Sequence, residues 1–473
     1  MTKLNIKQLY NRRVWGNISL VVLAAFSLSS CHIYSSYERP ENLPTTGLYR
    51  DTTNQVGVLV SDTVNFGNMP WRQVFTDSNL QSLIEKALAN NTDLKNAEEN
   101  IEQAQASLKA AKLAYLPSLQ LNAQGTLSSF DGGKAVKTYN VPVVASWQAD
   151  IFGSIRNAKD QAKAVLLQSN AYKQTVQTQI IANVANLYYT LLMLDEQLRT
   201  TRETSELWTK NVEAMKAMQK AAMTNMAAVE QSEANRLQIN ATIPQMEQSI
   251  RETENSLCVI LHEAPHTITR STLAAQTLPA SMSAGVPVAL LSNRPDVKAA
   301  EYALRSAFYN TNAAYSSFYP KLNITGQAGW TNSNGMIVNP GKILTTLVGS
   351  LTQPLFEQGK LTAQLKIAQS NQRVAENNFT QALLNAGQEV SNALYAYKSA
   401  NEQAAICAQQ VKALEAARDK TNELFKYSQT TTYLEKLTAE MSLLNAKLTL
   451  INDNYTRLQS AVNLYAALGG GRN

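Results

Sequence analysis

The sequence predicts a mainly α-helical chain that also carries a pair of membrane β-hairpins. Three features of its 473 residues support this fold class. They are an internal repeat, helical stretches far longer than a globular core needs, and runs of about ten alternating apolar and polar residues. We expect the helices to form the wall of an α-barrel and the strands to form part of a membrane β-barrel.

The chain repeats itself with a period of about 200 residues. The segment AKLAYLPSL around Pro117 resembles AYSSFYPKL around Pro320, and these prolines are 203 positions apart. The segment DIF, which ends at Phe152, resembles PLF, which ends at Phe356, at a separation of 204 positions. A period this long indicates two copies of a domain-sized unit rather than a solenoid of short repeats.

We therefore expect four segments along the chain. They are a signal peptide at 1–30, a lipid-anchored N-terminal segment at 31–78, a first repeat at 79–284 and a second repeat at 285–473. Each repeat should run in the order helix, two strands and two very long helices.

The distribution of helix-breaking residues predicts the long helices. Glycine is absent between Gly153 and Gly285, and proline is absent after Pro354. Only two short interruptions divide these stretches, at 221–227 and 427–432, and both are typical of tight turns between helices. A helix from about residue 154 to the first turn would be roughly 100 Å long.

The last helix carries a heptad pattern of apolar residues, and small alanine side chains cover much of the remaining helix surface. Sustained steps of three and four predict coiled-coil packing, and a small-residue second face predicts packing on two sides. A barrel wall satisfies both, although the helices alone would equally suit a coiled-coil rod. The stripe consists of Leu434, Leu437, Met441, Leu444, Leu448, Ile451, Tyr455, Leu458, Val462 and Tyr465.

The alternating runs favour the channel over the rod. The first begins after Pro117, and its apolar positions are Leu119, Leu121, Ala123, Gly125 and Leu127. Its length suits a tilted membrane strand, although surface hairpins with one buried face are the alternative. Four strands cannot close a barrel in lipid, because every backbone polar group there needs a partner. At least two copies are therefore required, and the pattern alone does not give their number.

The first thirty residues read as a targeting signal. Four basic residues precede the apolar stretch Ile18–Leu28, which is too short to span a bilayer. The stretch ends in Leu-Ser-Ser-Cys31, which resembles a bacterial lipobox, whose cysteine becomes acylated. An ordinary cleavage site with a chance cysteine is the alternative. We expect Cys31 to carry a covalent lipid, which is the only cofactor predicted.

Composition excludes several other classes of function. The net charge of +6 falls to +2 once the four basic residues of the signal are removed, and no basic patch with aromatics points to nucleic acid. The three cysteines, Cys31, Cys258 and Cys407, predict no disulfide framework and no zinc site. His262 and His266 lie in HEAPH, whose proline interrupts the helical zinc motif, so we expect a capped helix end there. Neither an enzyme nor a metal site is predicted.

Several motifs together resemble one family. The segment LLSNRPDVKAAE at 290–301 is similar to the signature that opens the second repeat of the outer-membrane factors of resistance-nodulation-division efflux systems. The segments 150–153, 318–322 and 433–435 also resemble that family, the TolC, OprM and CusC group. The resemblance covers nearly the whole chain, from the lipobox to about residue 469.

The resemblance implies a TolC-like homotrimer in the bacterial outer membrane, lipid-anchored and extending into the periplasm. Three chains would form a twelve-stranded β-barrel, with four strands per chain, and a twelve-helix α-barrel. The duct would pass small molecules from an inner-membrane RND-type pump and a periplasmic adaptor (membrane fusion) protein. A type I protein-secretion exit channel is the alternative function.

The resemblance also suggests where the duct closes and where it meets its adaptor. Family members place an acid and an arginine that hold the pore shut at positions aligned with Thr438 and Met441, so that ionic latch is lost here. We expect an apolar gate instead, although Leu434 could equally be the first coiled-coil knob. The candidate gate residues are Leu434, Thr438, Tyr433 and Tyr427. The candidate adaptor-contacting tips are Met223, Thr224, Asn225, Gln429, Thr430 and Thr431.

Overall fold

A computed structural model describes residues 34–44, 48, 66–129, 131–279, 293–332, 341–427 and 432–472. Two repeats with the predicted order of elements account for most of this part of the chain. The N-terminal segment contributes the helix α1 (Trp71–Val74). The first repeat comprises the helices α2 (Ser78–Asn90) and α3 (Thr92–Leu113), the strands β1 (Ser118–Leu121), β2 (Gln124–Ser128) and β3 (Val136–Ala149), and the helices α4 (Ser154–Lys220) and α5 (Met226–Leu261).

The described part of the second repeat follows the order of the first from α3 onward. It comprises α6 (Pro295–Ser316), β4 (Lys321–Thr331), β5 (Lys342–Thr352), α7 (Lys360–Tyr427) and α8 (Tyr433–Ala467). Both turns between long helices lie where the sequence predicts them. Among the described residues, no helix is both long enough and apolar enough to cross a membrane.

The structure corrects the spacing of the repeats. The helices α3 and α6 begin at Thr92 and Pro295, which are 203 positions apart, as the prolines predict. Gly153 and Gly359 immediately precede α4 and α7, and both have φ in the left-handed region, at 69° and 78°. Side chains other than glycine rarely adopt that backbone conformation, so the two glycines mark equivalent positions in the two repeats. They are 206 positions apart. Phe356 is therefore not the counterpart of Phe152, and the 204-residue spacing was wrong by two.

The strands form one antiparallel sheet in the order β1-β3-β4-β5, and β2 also pairs with β3. The register places Val141 of β3 opposite Trp330 of β4. β1 and β2 act as one bent strand, because the Asn122 amide between them still donates to the Pro142 carbonyl, at 3.0 Å. Pro142 has no amide hydrogen to return the bond, which accounts for the break in the ladder.

The described residues belong to two compact units. One unit takes in 1–41, 101–168 and 300–378 and contains the sheet. The other takes in 42–100, 169–299 and 379–473 and contains both helix-helix turns. Its core is built from large buried side chains of the long helices, including Tyr188, Leu191, Trp208, Phe379 and Tyr465.

The heptad stripe of α8 is buried along most of its length, as coiled-coil packing requires. Leu437 is 4% exposed, and Leu444, Ile451 and Leu458 are also buried. Leu434, the first residue of the predicted stripe, is 68% exposed. Within the chain, the buried part of the stripe therefore starts at Leu437.

Candidate gate, helix tips and membrane strands

The outer strands of the sheet are exposed on both faces within the chain, and the alternation of the sequence puts their apolar side chains on one face, as in membrane strands. Leu119 and Leu121 on β1 and Trp330 on β4 are exposed. Trp147 on β3 is also exposed, and its indole N–H donates to the Tyr115 carbonyl at 2.9 Å. The two tryptophans lie toward opposite ends of the strands, where indole rings suit membrane–water interfaces.

The first tip is the turn between α4 and α5. Ala222 adopts φ of 57°, in the left-handed region where glycine is usual, and the Met223 amide donates to the Met218 carbonyl at 2.9 Å. Asn225 caps α5, since its side-chain oxygen accepts a hydrogen bond from the Ala228 amide at 3.0 Å. Met223 is well exposed, and Asn225 is also exposed, while Thr224 is partly covered.

The second tip lies between α7 and α8. Gln429, Thr430 and Thr431 fall outside the described residues, so their expected role stays a prediction. The residue before them, Tyr427, is 87% exposed. After them, Thr432 and Glu435 form a reciprocal capping box that starts α8.

Two candidate gate residues lie near the start of α8, Leu434 on its first turn and Thr438 one turn later. Leu434 is exposed, and within the chain it does not pack as a coiled-coil knob. The Thr438 hydroxyl donates to the Leu434 carbonyl at 2.8 Å, within the same helix. This bond uses the only side-chain donor of Thr438, so of these two residues Leu434 is the one that presents an apolar surface.

Tyr433 has a different environment from its neighbour. Its hydroxyl is hydrogen-bonded to Ser232 of α5, and its ring lies 6.0 Å from the ring of Phe425. It packs against a buried cluster that contains Trp208 and Leu437. In this bond the Tyr433 oxygen accepts from the Ser232 hydroxyl, and burial raises the pKa of the Tyr433 hydroxyl. Tyr433 is therefore a packing residue that joins α8 to α5, rather than a free ring at the tip.

A second contact joins the start of α8 to the first helix pair. The Lys436 ammonium group donates to the side-chain oxygen of Asn211 on α4 at 3.0 Å and lies 5.5 Å from the Phe425 ring. Burial lowers the pKa of Lys436, because the charged form loses hydration. Together with Tyr433, this lysine attaches the first turn of α8 to α4 and α5.

Arg294, the arginine of the RPD segment, is a buried ion-pair centre. Its guanidinium group forms two bonds with Asp296, at 2.9 and 2.5 Å, and one with Glu389 of α7, at 2.5 Å. It also donates to the Ala467 carbonyl at the end of α8, at 3.0 Å. Burial opposes the charge, but the ion pairs outweigh it and raise the pKa of Arg294. The residue thus joins the start of α6 to α7 and α8.

A further polar cluster was not predicted from the sequence. Asp77 caps α2 and accepts hydrogen bonds from the side chains of Tyr188, Ser271 and Gln276. Burial alone would raise the pKa of Asp77, but these hydrogen bonds lower it. Because 111 positions separate Asp77 from Tyr188, no local pattern could have indicated the cluster.

Close to that cluster in the sequence, Arg270 forms a two-bond ion pair with Asp195, at 2.5 and 2.9 Å, and a third bond with Glu254 at 2.5 Å. These bonds fix the segment that follows α5. His262 ends α5 in the left-handed conformation, which is the capped helix end expected for the HEAPH segment.

Cys31 lies outside the described residues, but the segment soon after it is described. Arg39 forms a two-bond ion pair with Glu301 of α6, at 2.8 and 2.7 Å. The Tyr37 ring lies 5.7 Å from the Phe308 ring of the same helix. The N-terminal segment is therefore held against α6 within eight residues of the predicted lipidation site.

Comparison with known proteins assigns the family. The sequence model described as "outer membrane efflux protein" matches residues 83–261 and 286–470, which together are most of the chain. The chain belongs to the outer membrane efflux protein family.

Individual members of this family resemble the chain over nearly its full length. The cation efflux system protein CusC of Escherichia coli is 27% identical over 455 residues, covering 94% of this chain and 98% of CusC. The toluene efflux pump outer membrane protein TtgC of Pseudomonas putida is 27% identical over 474 residues, covering 96% of both. The open state of the Neisseria gonorrhoeae outer membrane channel MtrE superposes with a TM-score of 0.82 at 25% identity, covering 94% of this chain and 99% of MtrE.

This outer membrane efflux protein therefore has the TolC-like channel fold predicted from its sequence. It is an efflux channel component of the bacterial outer membrane, with a part that extends into the periplasm. The contacts of the described residues show which structural roles two of the family-like motifs have in this fold. The RPD segment supplies the Arg294 ion-pair centre, and the segment at 433–435 supplies Tyr433 and the capping Glu435.

Proposed function

We propose that three copies of this chain form the exit duct of a tripartite efflux system. The copies would share one β-barrel and one α-barrel, and would connect a periplasmic adaptor and an inner-membrane RND-type pump to the exterior. Family membership over most of the chain is the observation that carries this proposal. The duct itself would perform no chemistry, and the pump would supply the energy.

Small-molecule efflux is favoured over type I protein secretion. CusC is named for cation efflux and TtgC for toluene efflux, and both align with nearly all of this chain. Because two such different substrates are served by similar ducts, we propose that the pump, and not this chain, selects the substrate. Deleting the chain from its host should raise sensitivity to small toxic compounds and leave the set of secreted proteins unchanged. The opposite pattern would favour type I secretion.

Ion conductance tests the duct directly. The purified full-length chain, reconstituted in a planar bilayer, should open discrete channels and should migrate as three copies in mild detergent. The same sample after heat dissociation is the control and should be silent. A chain that stays monomeric and does not conduct would contradict the proposal.

We also propose how the duct closes while no pump complex is docked. Leu434 from each copy would form an apolar constriction, and such constrictions can close a pore by excluding water. Tyr433 and Lys436 would hold this turn in place through Ser232 and Asn211. Opening would require these two bonds to break, which gives the closed state its stability.

A further inference from the structure

A cavity of about 590 Å³ lies where α8 ends and α6 begins. Its lining residues come from α4, α7, α8 and the start of α6, and all of them belong to the compact unit that contains both helix-helix turns. Arg294 borders the cavity, with its charge already paired to Asp296 and Glu389. Pockets that hold small molecules have volumes of about 300–1,000 Å³, so this cavity has room for one.

Carboxamide side chains make up much of the polar part of the lining. Asn183 and Asn186 come from α4, Asn392 from α7 and Asn463 from α8. All but Asn186 are exposed. A carboxamide is uncharged and carries both donor hydrogens and acceptor lone pairs. Four such groups from three helices therefore offer one molecule both kinds of hydrogen bond.

Part of this hydrogen-bonding capacity is not used within the chain. Asn186 donates to the side-chain oxygen of Asn463 at 3.2 Å, while the side-chain oxygen of Asn186 is buried without a partner. The hydroxyl of Thr178, another lining residue, is also buried without a partner. Such atoms are uncommon in folded proteins, because an unmade hydrogen bond costs stability. With small side-chain rotations, a molecule in the cavity would supply the partners.

The remaining lining residues favour an uncharged ligand with a compact apolar part. Small groups form the apolar surface, and methyl groups of this size let a ring or short chain approach the helices closely. The charged lining residues bind one another, and two carboxylates outnumber one guanidinium group, so these residues disfavour an anion. The apolar lining residues are Ala182, Pro295, Ala393, Ala396, Ala466 and Ala467.

The helices that line the cavity carry other segments of the chain on their opposite faces. On α4, Gln177 donates to the carbonyl of Gly471 near the C-terminus at 2.9 Å. On α8, the Tyr465 hydroxyl donates to the Met69 carbonyl at 2.7 Å. Because a helix turns by about 100° per residue, these contacts lie on the side opposite to the cavity amides. Chain ends on the inner face would block a duct, so the cavity belongs to the inner wall.

We propose that this cavity binds small uncharged molecules that combine hydroxyl or amide groups with a compact apolar part. The carboxamides would exchange hydrogen bonds with the polar groups of such a molecule, and the alanines would contact its apolar part. This inference rests on the proposed function and adds to it a class of compound that the inner wall of the duct holds in passage. The pump still decides which compounds enter.

Equilibrium dialysis of the purified full-length protein against radiolabelled chloramphenicol tests the site, since this probe is uncharged and carries hydroxyl groups, an amide and a ring. Ala396→Phe fills the cavity from an exposed position of α7. Ala405→Phe is the matched control, because Ala405 is equally exposed but lies on the opposite side of α7. The double variant Asn183→Leu, Asn392→Leu keeps the volume of the lining and removes two carboxamides. Chloramphenicol succinate, which is an anion, is the control ligand.

The parent chain and Ala405→Phe should bind chloramphenicol equally, and both cavity variants should bind it at least about fivefold more weakly. The succinate should not bind. Unchanged binding by Ala396→Phe would place the compound elsewhere, and unchanged binding by the double variant would show that the amides do not recognise it; either result overturns the inference. A parent chain that conducts ions as three copies but binds no chloramphenicol also overturns it and leaves the proposed function intact. A monomeric chain that does not conduct would contradict the proposed function itself.

Discussion

Leu434 and Tyr433 are neighbours in the sequence, yet their side chains have opposite environments. Leu434 is exposed at the start of α8, whereas Tyr433 packs into the helix core and is bonded to Ser232. A single helical step separates the residue proposed to close the pore from the residue proposed to hold it in place. The two roles can therefore be tested with separate substitutions.

Replacing Leu434 with a polar residue should open the resting pore. Leu434→Ser should raise resting conductance and sensitivity to large antibiotics, because a polar ring does not exclude water as an apolar ring does. Leu448→Ser is the matched control, since Leu448 packs against the buried cluster of α8. It should lower the thermal stability of the trimer without raising conductance. If Leu434→Ser instead destabilises the trimer at unchanged conductance, Leu434 packs between copies and the gate lies elsewhere.

Removing the hydroxyl group of Tyr433 should weaken the closed state of the pore. Tyr433→Phe keeps the ring but loses the bond to Ser232, which is worth about 1 kcal/mol, or about a fivefold shift toward the open state. Tyr455→Phe is the control, because Tyr455 also bonds across helices, to Thr190, but lies far from the tip along α8. Single-channel recording should show more frequent opening for Tyr433→Phe alone. Equal opening of both variants would mean that the Ser232 bond does not restrain the gate.

Even a conservative change at Arg294 should lower the stability of the fold. Lysine cannot reproduce the planar two-bond contact with Asp296 together with the bonds to Glu389 and Ala467. Arg294→Lys should therefore destabilise the fold by about 2 kcal/mol, measured as a lower thermal unfolding temperature. Arg373→Lys, on an exposed surface of α7, should have little effect. An unchanged unfolding temperature for Arg294→Lys would show that the ion pairs add little to stability.

At the scale of elements, different sequence patterns specify the sheet and the helix pairs. The strands depend on alternation, and the face that each residue occupies follows from its odd or even position. The helices depend on glycine and proline for their ends and on heptads for their packing. The first tip dispenses with glycine, so Ala222 occupies the left-handed conformation at a cost of about 1 kcal/mol.

The strand assignment predicts a difference between adjacent positions. Leu121→Asp places a charge on the apolar face and should hinder insertion into the outer membrane. Asn122→Asp changes the opposite face next to it and should be tolerated. The yield of assembled protein in outer-membrane fractions measures both. Equal yields for the two variants would contradict the assignment of lipid-facing residues.

At the scale of the whole molecule, the predicted lipid anchor and the sheet would be separate attachments to the outer membrane. Cys31 is predicted to be acylated, and the segment after it is held on α6 by Arg39 and Tyr37. We expect the lipid to assist sorting while the strands form the pore.

Replacing the predicted lipidation site tests this view. Cys31→Ser should abolish labelling by radioactive palmitate, because the diacylglyceryl group is attached to the cysteine sulfur and acylation of the cysteine nitrogen depends on that first step. Cys407→Ser, at a half-buried position in α7, should label as the parent chain does. Normal labelling of mature Cys31→Ser would show that the lipobox assignment is wrong.

The elements and their ends could be predicted because they depend on local backbone chemistry. The absence of glycine after Gly153 predicted the long helices α4 and α5, and the polar segment near residue 427 predicted the end of α7. The spacing of the repeats could not be read as reliably. The similarity of DIF and PLF suggested 204 positions, whereas the left-handed glycines and the strand register require 206.

The long paired helices, the alternating strands, the repeat and the family could all be predicted from the residues, because each is a periodic or local property of the chain. The fold was needed to show that Tyr433 is packed and Leu434 exposed, and that Arg294 joins three helices. It also revealed the Asp77 cluster. These contacts link segments up to about 200 positions apart. In each contact, hydrogen bonds or ion pairs offset the cost of burying the polar groups, and residue spacing along one segment does not indicate which distant groups will meet.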